Sequence, residues 1–173
     1  MPDAGQLLLV ARQLVDLAGS TTIFTIGPVD AHLRRAVSTA YYALFHKAVS
    51  AAAERLVGTD KLHTAAYRLI YRAYDHHRMK EVFTALQASV LRPPYPDRLG
   101  RSSVSQELRN FAIAFVTLQE ARQLADYHPG FLLLLLDASA LVNAAIQAVA
   151  SFDRIPDDEQ RDVLALMLVG ARA

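Results

Sequence analysis

No Gly or Pro interrupts the chain between Ala31 and Val57, and within that run stands Arg34-Arg35-Ala-Val-Ser-Thr-Ala-Tyr-Tyr-Ala-Leu-Phe-His46. The run reads as a helix, opened by Asp30 as a cap and ended by Gly58. At about 100° per residue, Arg35, Thr39, Tyr42, His46 and Val49 share one stripe. Val37, Tyr41, Leu44 and Ala48 share the opposite one. Both stripes are largely apolar, and a helix apolar on two sides belongs in the middle of a bundle. The polar heads of Arg35, Ser38, Tyr42 and His46 are then at least partly buried, and each needs a partner. Such a seam is either a site or a device that fixes one packing arrangement.

Other apolar-periodic segments surround this one. Gln6–Leu17 has a helical pattern with Asp3 as cap. Thr59 or Asp60 opens a third helix toward Ser89, which Asp75-His76-His77-Arg78 can break in two. Leu91–Ser103, with Pro93, Pro94, Pro96 and Gly100, reads as the longest loop, exposed and mobile. Ser103 or Ser105 caps a fourth helix over about Val104–Tyr127. Pro129-Gly130 breaks the chain before a fifth helix, about Phe131–Phe152. Pro156 and the acids after it start a short last helix, where the dipole favours negative charge. The expectation is an all-α, up-and-down bundle of about five main helices plus a short C-terminal helix. It forms one domain over residues 1–173, with a core at 6–152 and an extension at 153–173.

Composition agrees with a bundle: 53% of residues are apolar, and Gly and Pro number seven each. The absence of Cys excludes disulfides, thiolate metal sites and a cysteine nucleophile, and a cytoplasmic location is the default expectation. Asp3 and Arg12 interrupt any opening signal segment. Phe131–Phe152 is the best membrane candidate, but Asp137, Asn143 and Gln147 make it a bundle helix, so no membrane association is expected. Net charge is +1, unevenly spread: residues 61–110 hold nine Lys or Arg against four Asp or Glu. That excess suits phosphates, or is simply a solvated face with a basic loop.

The Arg34–His46 pattern resembles the second helix of small prokaryotic HEPN-domain proteins (higher eukaryotes and prokaryotes nucleotide-binding). Tyr71-Arg72-Ala73-Tyr74-Asp75-His76 is similar to that family's middle segment. Phe115-Val116-x-Leu118-Gln119-x-Ala121-Arg122-x-x-Ala125-Asp126-Tyr127 is similar to a third family segment, in the same order. The resemblance covers most of residues 6–152. It implies a four- to five-helix bundle, usually a homodimer, whose active members are metal-independent RNases. These use an Arg followed four to six residues later by a His. Many relatives lack the pair and are non-catalytic or toxin–antitoxin partners.

The chemistry of that pair is direct. Cleavage at a 2′-hydroxyl needs an acid or base near neutral pH, which His supplies. The phosphorane oxygens need a cation, which Arg supplies in bidentate fashion. Arg122 with His128 is the first catalytic candidate, at the end of the fourth helix. Similar members carry Asp where His128 stands, so Arg122 and Asp126 also read as an i,i+4 ion pair. Arg72 with His77 ranks second. Arg35, Arg72, Arg78 and Arg122 are candidates for phosphate contact, with Tyr42, His46, Asp126 and Tyr127 lining the cleft. Asp75-His76-His77 with His63 lacks the spacing of a metal site, and neither metal nor cofactor is expected. Two functions stay open. One is binding RNA or a nucleotide, with or without cleavage. The other is a non-catalytic interaction protein whose seam fixes a homodimer, contacted partly through the second and fourth helices, or docks a toxin or antitoxin.

Overall fold

The computed structural model of the chain describes residues 3–20 and 26–169. Among these residues there are eight α-helices, one 3₁₀ turn and no strand. The helices are α1 (Ala4–Ser20), α2 (Ile26–Val57), α3 (Ala65–Ala73), α4 (His76–Leu86), α5 (Tyr95–Leu99), α6 (Gln106–Tyr127), α7 (Leu135–Phe152) and α8 (Asp157–Val169), with the 3₁₀ turn at Thr59–Lys61. The all-α class follows from the apolar spacing, and several boundaries follow from capping groups. Asp3 accepts the Gln6 N–H at the start of α1 (2.8 Å), and Ser105 Oγ accepts the Leu108 N–H at the start of α6 (3.2 Å).

Three expectations of detail are corrected. Helix α2 starts at Ile26, before Asp30, so Asp30 lies inside the helix and pairs with Arg34 one turn on (2.6 Å). The third helix opens at Ala65 and not at Thr59 or Asp60, because Thr64 Oγ1 accepts the Tyr67 N–H; its break at Asp75, whose Oδ1 accepts the Arg78 N–H, falls where the sequence allowed it. The Pro-rich segment is no exposed loop. Its middle is α5, whose Tyr95 and Leu99 are buried together with Leu91. Arg101 holds it further, reaching Asp162 (2.5 Å), Asp158 (3.3 Å) and the buried Glu159 (3.5 Å) on α8.

The chain packs as two compact units, each made of two separate stretches. Unit 1 comprises residues 1–46 and 114–149, and unit 2 comprises residues 47–113 and 150–173. The division falls inside α2, α6 and α7. In unit 1, α1 buries Leu8, Ala11, Val15 and Ala18, and α7 buries Ala138, Val142 and Ala145. Tyr41 of α2 meets Phe115 of α6 edge-on at 5.4 Å. Unit 2 is centred on Phe83, Phe111 and Phe152, with centroids 5.3 Å and 4.6 Å apart along that chain of rings. Tyr74 Oη donates to the Leu164 carbonyl (2.8 Å), tying the α3–α4 junction to α8.

The central helix keeps its expected core side: Val37, Tyr41, Leu44 and Ala48 are fully buried. Its polar stripe is not uniformly enclosed. Ser38 is buried and Tyr42 and His46 are half-buried, but Arg35 is exposed, contrary to expectation. Helix α7 is long and apolar enough to cross a membrane, with mean hydropathy 1.4, and a third of it is buried inside the fold.

Candidate functional site: an arginine enclosed by tyrosines

Within unit 1, α6 presents Arg122 and Asp126 one turn apart, and α2 presents Ser38, Tyr41 and Tyr42. Arg122 Nε stands 2.8 Å from Asp126 Oδ2, and Arg122 Nη2 donates to Tyr42 Oη at 2.9 Å. Ser38 Oγ donates to the other Asp126 oxygen at 2.5 Å. The guanidinium carbon lies 5.4 Å from the ring centre of Tyr42, 5.5 Å from Tyr127 and 5.9 Å from Tyr41, all within cation–π range. Burial opposes the charge on Arg122. The facing Tyr42, Asp126, Tyr127 and Tyr41 more than offset that, and its pKa is raised. Burial also pushes the Tyr41 hydroxyl far above the usual phenol range. Tyr127 is the outer wall of this cage, and 72% of it faces solvent.

A second arginine shapes the same end of α6. Arg34 Nη1 donates to the carbonyls of Ala125 (2.8 Å) and His128 (3.2 Å), and Nη2 donates to that of Phe131 (2.5 Å). The last carbonyls of a helix lack intrahelical partners and carry the negative end of its dipole, so a cation there satisfies both needs. Sequence reasoning placed Arg34 in the motif and gave it no role. The signal was available: a cation on the central helix, with a Pro-Gly break just after the facing helix.

The Arg122–His128 candidate pair is not brought together. The His128 ring is exposed and turned over the Pro129-Gly130 turn, where a Cβ on Gly130 would stand 3.5 Å from its Cε1. No hydrogen bond between it and Arg122 is present among the described residues. Its N–H completes the helix to the Leu124 carbonyl (3.0 Å) and its own carbonyl accepts from Arg34. The His46 ring stacks on Tyr42 at 6.2 Å, which extends the aromatic wall. Arg35 points to solvent. Arg72 and Arg78 belong to unit 2. There Arg78 Nη1 donates to the Leu168 carbonyl at the end of α8 (2.9 Å), and Arg72 is exposed in the last turn of α3. Among the described residues, no three His, Asp or Glu side chains converge as a metal would require.

The arrangement therefore differs from a phosphate cradle. A guanidinium that binds phosphate presents unused donors to solvent. The Arg122 side chain is only 16% exposed, enclosed by the Asp126 carboxylate and the rings of Tyr41, Tyr42 and Tyr127. The charge around it is also unsuited to a polyanion, because unit 1 carries six Asp or Glu against four Arg. Comparison with protein-family models, with curated proteins and with solved structures finds no match for this chain.

Proposed function

We propose that this chain is a HEPN-like, non-catalytic interaction protein, working as a homodimer or docking a partner protein of the toxin or antitoxin kind. The observation that carries the reading is the engagement of Arg122 by Asp126 and Tyr42 while the His128 ring lies exposed over the Pro129-Gly130 turn. With its two candidate groups apart, the seam acts as a packing device, and the surface left for function is aliphatic. Helices α1 and α7 are antiparallel neighbours in unit 1. Arg12 reaches Asn143, and a Cβ on Gly19 would meet Leu135 at 3.4 Å. On and beside this pair Leu9, Leu17, Leu132, Leu134, Leu136 and Ile146 are exposed, Leu132 by 77% and Leu136 by 81%. Exposed apolar surface on this scale marks an interaction site. The contact expected on the second and fourth helices moves, in this proposal, to α1 and α7.

One observation favours a second reading, binding of RNA or a nucleotide. Unit 2 holds fourteen Lys or Arg against eleven Asp or Glu, and α3 leaves Arg68 and Arg72 exposed. Incubating the pure protein with structured RNA in EDTA, and measuring RNA binding at low salt, separates the two. The interaction reading expects neither cleavage nor salt-sensitive affinity. It expects a dimer by light scattering at micromolar concentration, lost in Leu136→Asp. Cleavage that His128→Ala abolishes would restore the RNase reading.

A further inference from the structure

Unit 2 contains an open cavity of ≈ 320 Å³ that neither functional reading uses. Its volume is at the low end of the range typical of small-ligand sites. One wall is a stripe of α2 carrying Lys47, Ala51, Glu54 and Arg55, and the other includes Phe152 and Gln160.

The polar groups of this cavity are unequally occupied. Arg55 Nε donates to Gln160 Oε1 (2.5 Å), and the buried Gln160 donates through Nε2 to the Phe152 carbonyl (3.0 Å). A neutral amide thus aims the guanidinium without cancelling its charge. The further contact of Arg55 Nη2 with Asp157 (2.8 Å) is at the rim, where the carboxylate side chain is 79% exposed, and such pairs hold weakly. Lys47 Nζ pairs with Asp153 (2.6 Å) and lies over the Phe152 ring at 5.8 Å. The Glu54 carboxylate makes no hydrogen bond or ion pair among the described residues, while its backbone carbonyl accepts from the Gly58 N–H (2.9 Å). The Glu54 carboxylate thus lines the same cavity as a guanidinium anchored by Gln160 on Nε and by exposed Asp157 on Nη2, with Ala51 and Phe152 as the apolar part of the lining.

We propose that this cavity binds a free α-amino acid with an uncharged polar side chain. Its ammonium group sits on Glu54 and its carboxylate on Arg55. Its side chain runs over Ala51 and Phe152 toward the Lys47–Asp153 pair, which offers one donor and one acceptor. Charge complementarity selects this class. A polyanion would meet Glu54 and Asp153, a polyamine would meet Arg55 and Lys47, and a zwitterion opposes neither. The inference is independent of the interaction reading, which concerns unit 1.

Isothermal titration calorimetry of the full chain with L-glutamine tests it, with succinate and 1,4-diaminobutane as the two half-ligands. The expected result is saturable binding of L-glutamine and no comparable binding of either half-ligand. Glu54→Gln should weaken L-glutamine at least about tenfold, the loss of one charge-assisted contact, and leave the urea midpoint unchanged because the Glu54 carboxylate has no partner to lose. Ala51→Leu, which adds bulk to the α2 wall of the cavity, is the second variant and should abolish binding. No heat up to millimolar L-glutamine overturns the proposal. So does equal affinity in both variants, or succinate binding as well as the amino acid.

Discussion

Arg34 directs its donors at backbone and Arg122 directs its donors at side chains, and the two differ in what their loss would do. Arg34→Ala strips the end of α6 of a cation facing three carbonyls and should cost about 1–3 kcal/mol, read from the urea midpoint. Arg122→Ala leaves Asp126 and the Tyr42 hydroxyl facing an empty cage and should cost a similar amount, about 1–3 kcal/mol. Lysine at 122 keeps the charge but cannot reach the phenol and carboxylate together, so it should fall between. His128→Ala should stay within about 0.5 kcal/mol of the parent, because its ring is exposed and its helix-ending bonds are backbone bonds. The Arg122–Asp126 pair was legible in the sequence because both residues lie on one helix, one turn apart. Tyr42 as the hydrogen-bond partner was not, since that contact spans eighty residues. Nor was the direction of the His128 ring, which the Pro129-Gly130 turn decides and helical periodicity does not describe.

At the scale of elements, the chain reads correctly where apolar spacing is long and poorly where short polar groups decide. The α2 core stripe, the α1 and α6 caps and the acidic first turn of α8 were evident in the spacing and in Asp3, Ser105 and the acids after Pro156. The segment at 91–103 reads as a loop because of its four Pro and Gly residues, whereas Tyr95 and Leu99 give α5 a buried side at i and i+4, and Leu91 is buried just before it. Its anchor lies in α8, sixty residues on, and no local pattern points there. The consequence can be tested with trypsin. In the parent protein the bond after Arg98 should resist cleavage, being inside a packed helical turn held by Arg101. Arg101→Ala releases that hold and leaves the buried Glu159 carboxylate with Ser105 alone, so cleavage after Arg98 should become rapid while far-UV circular dichroism changes little.

For the whole molecule, buried phenols set a limit on the alkaline side. Burial pushes the Tyr74 hydroxyl up to about 12 from 10.0, and Tyr41 shifts in the same direction. The unfolded chain releases these protons at lower pH than the folded one. The stabilisation is therefore complete below pH 10 and is lost as pH rises toward and through 12. Urea midpoints measured from pH 9 to 12 should fall, and Tyr74→Phe should flatten that fall while lowering the unfolding free energy at neutral pH by about 1 kcal/mol for the lost bond to Leu164. The order in which the two units use the chain has a different consequence, one that concerns synthesis. Neither unit is continuous: the first needs residues up to 149 and the second needs residues from 150 onward. A ribosome emitting this chain from its N-terminus has no finished unit to release at residue 113, nor at any point before α7 has left the exit tunnel. The early helices α1 and α2 must wait, with their Leu8, Val15, Tyr41 and Leu44 uncovered, until the later ones arrive. Such a chain keeps apolar surface uncovered for longer during its synthesis than a protein built from successive, self-contained pieces does.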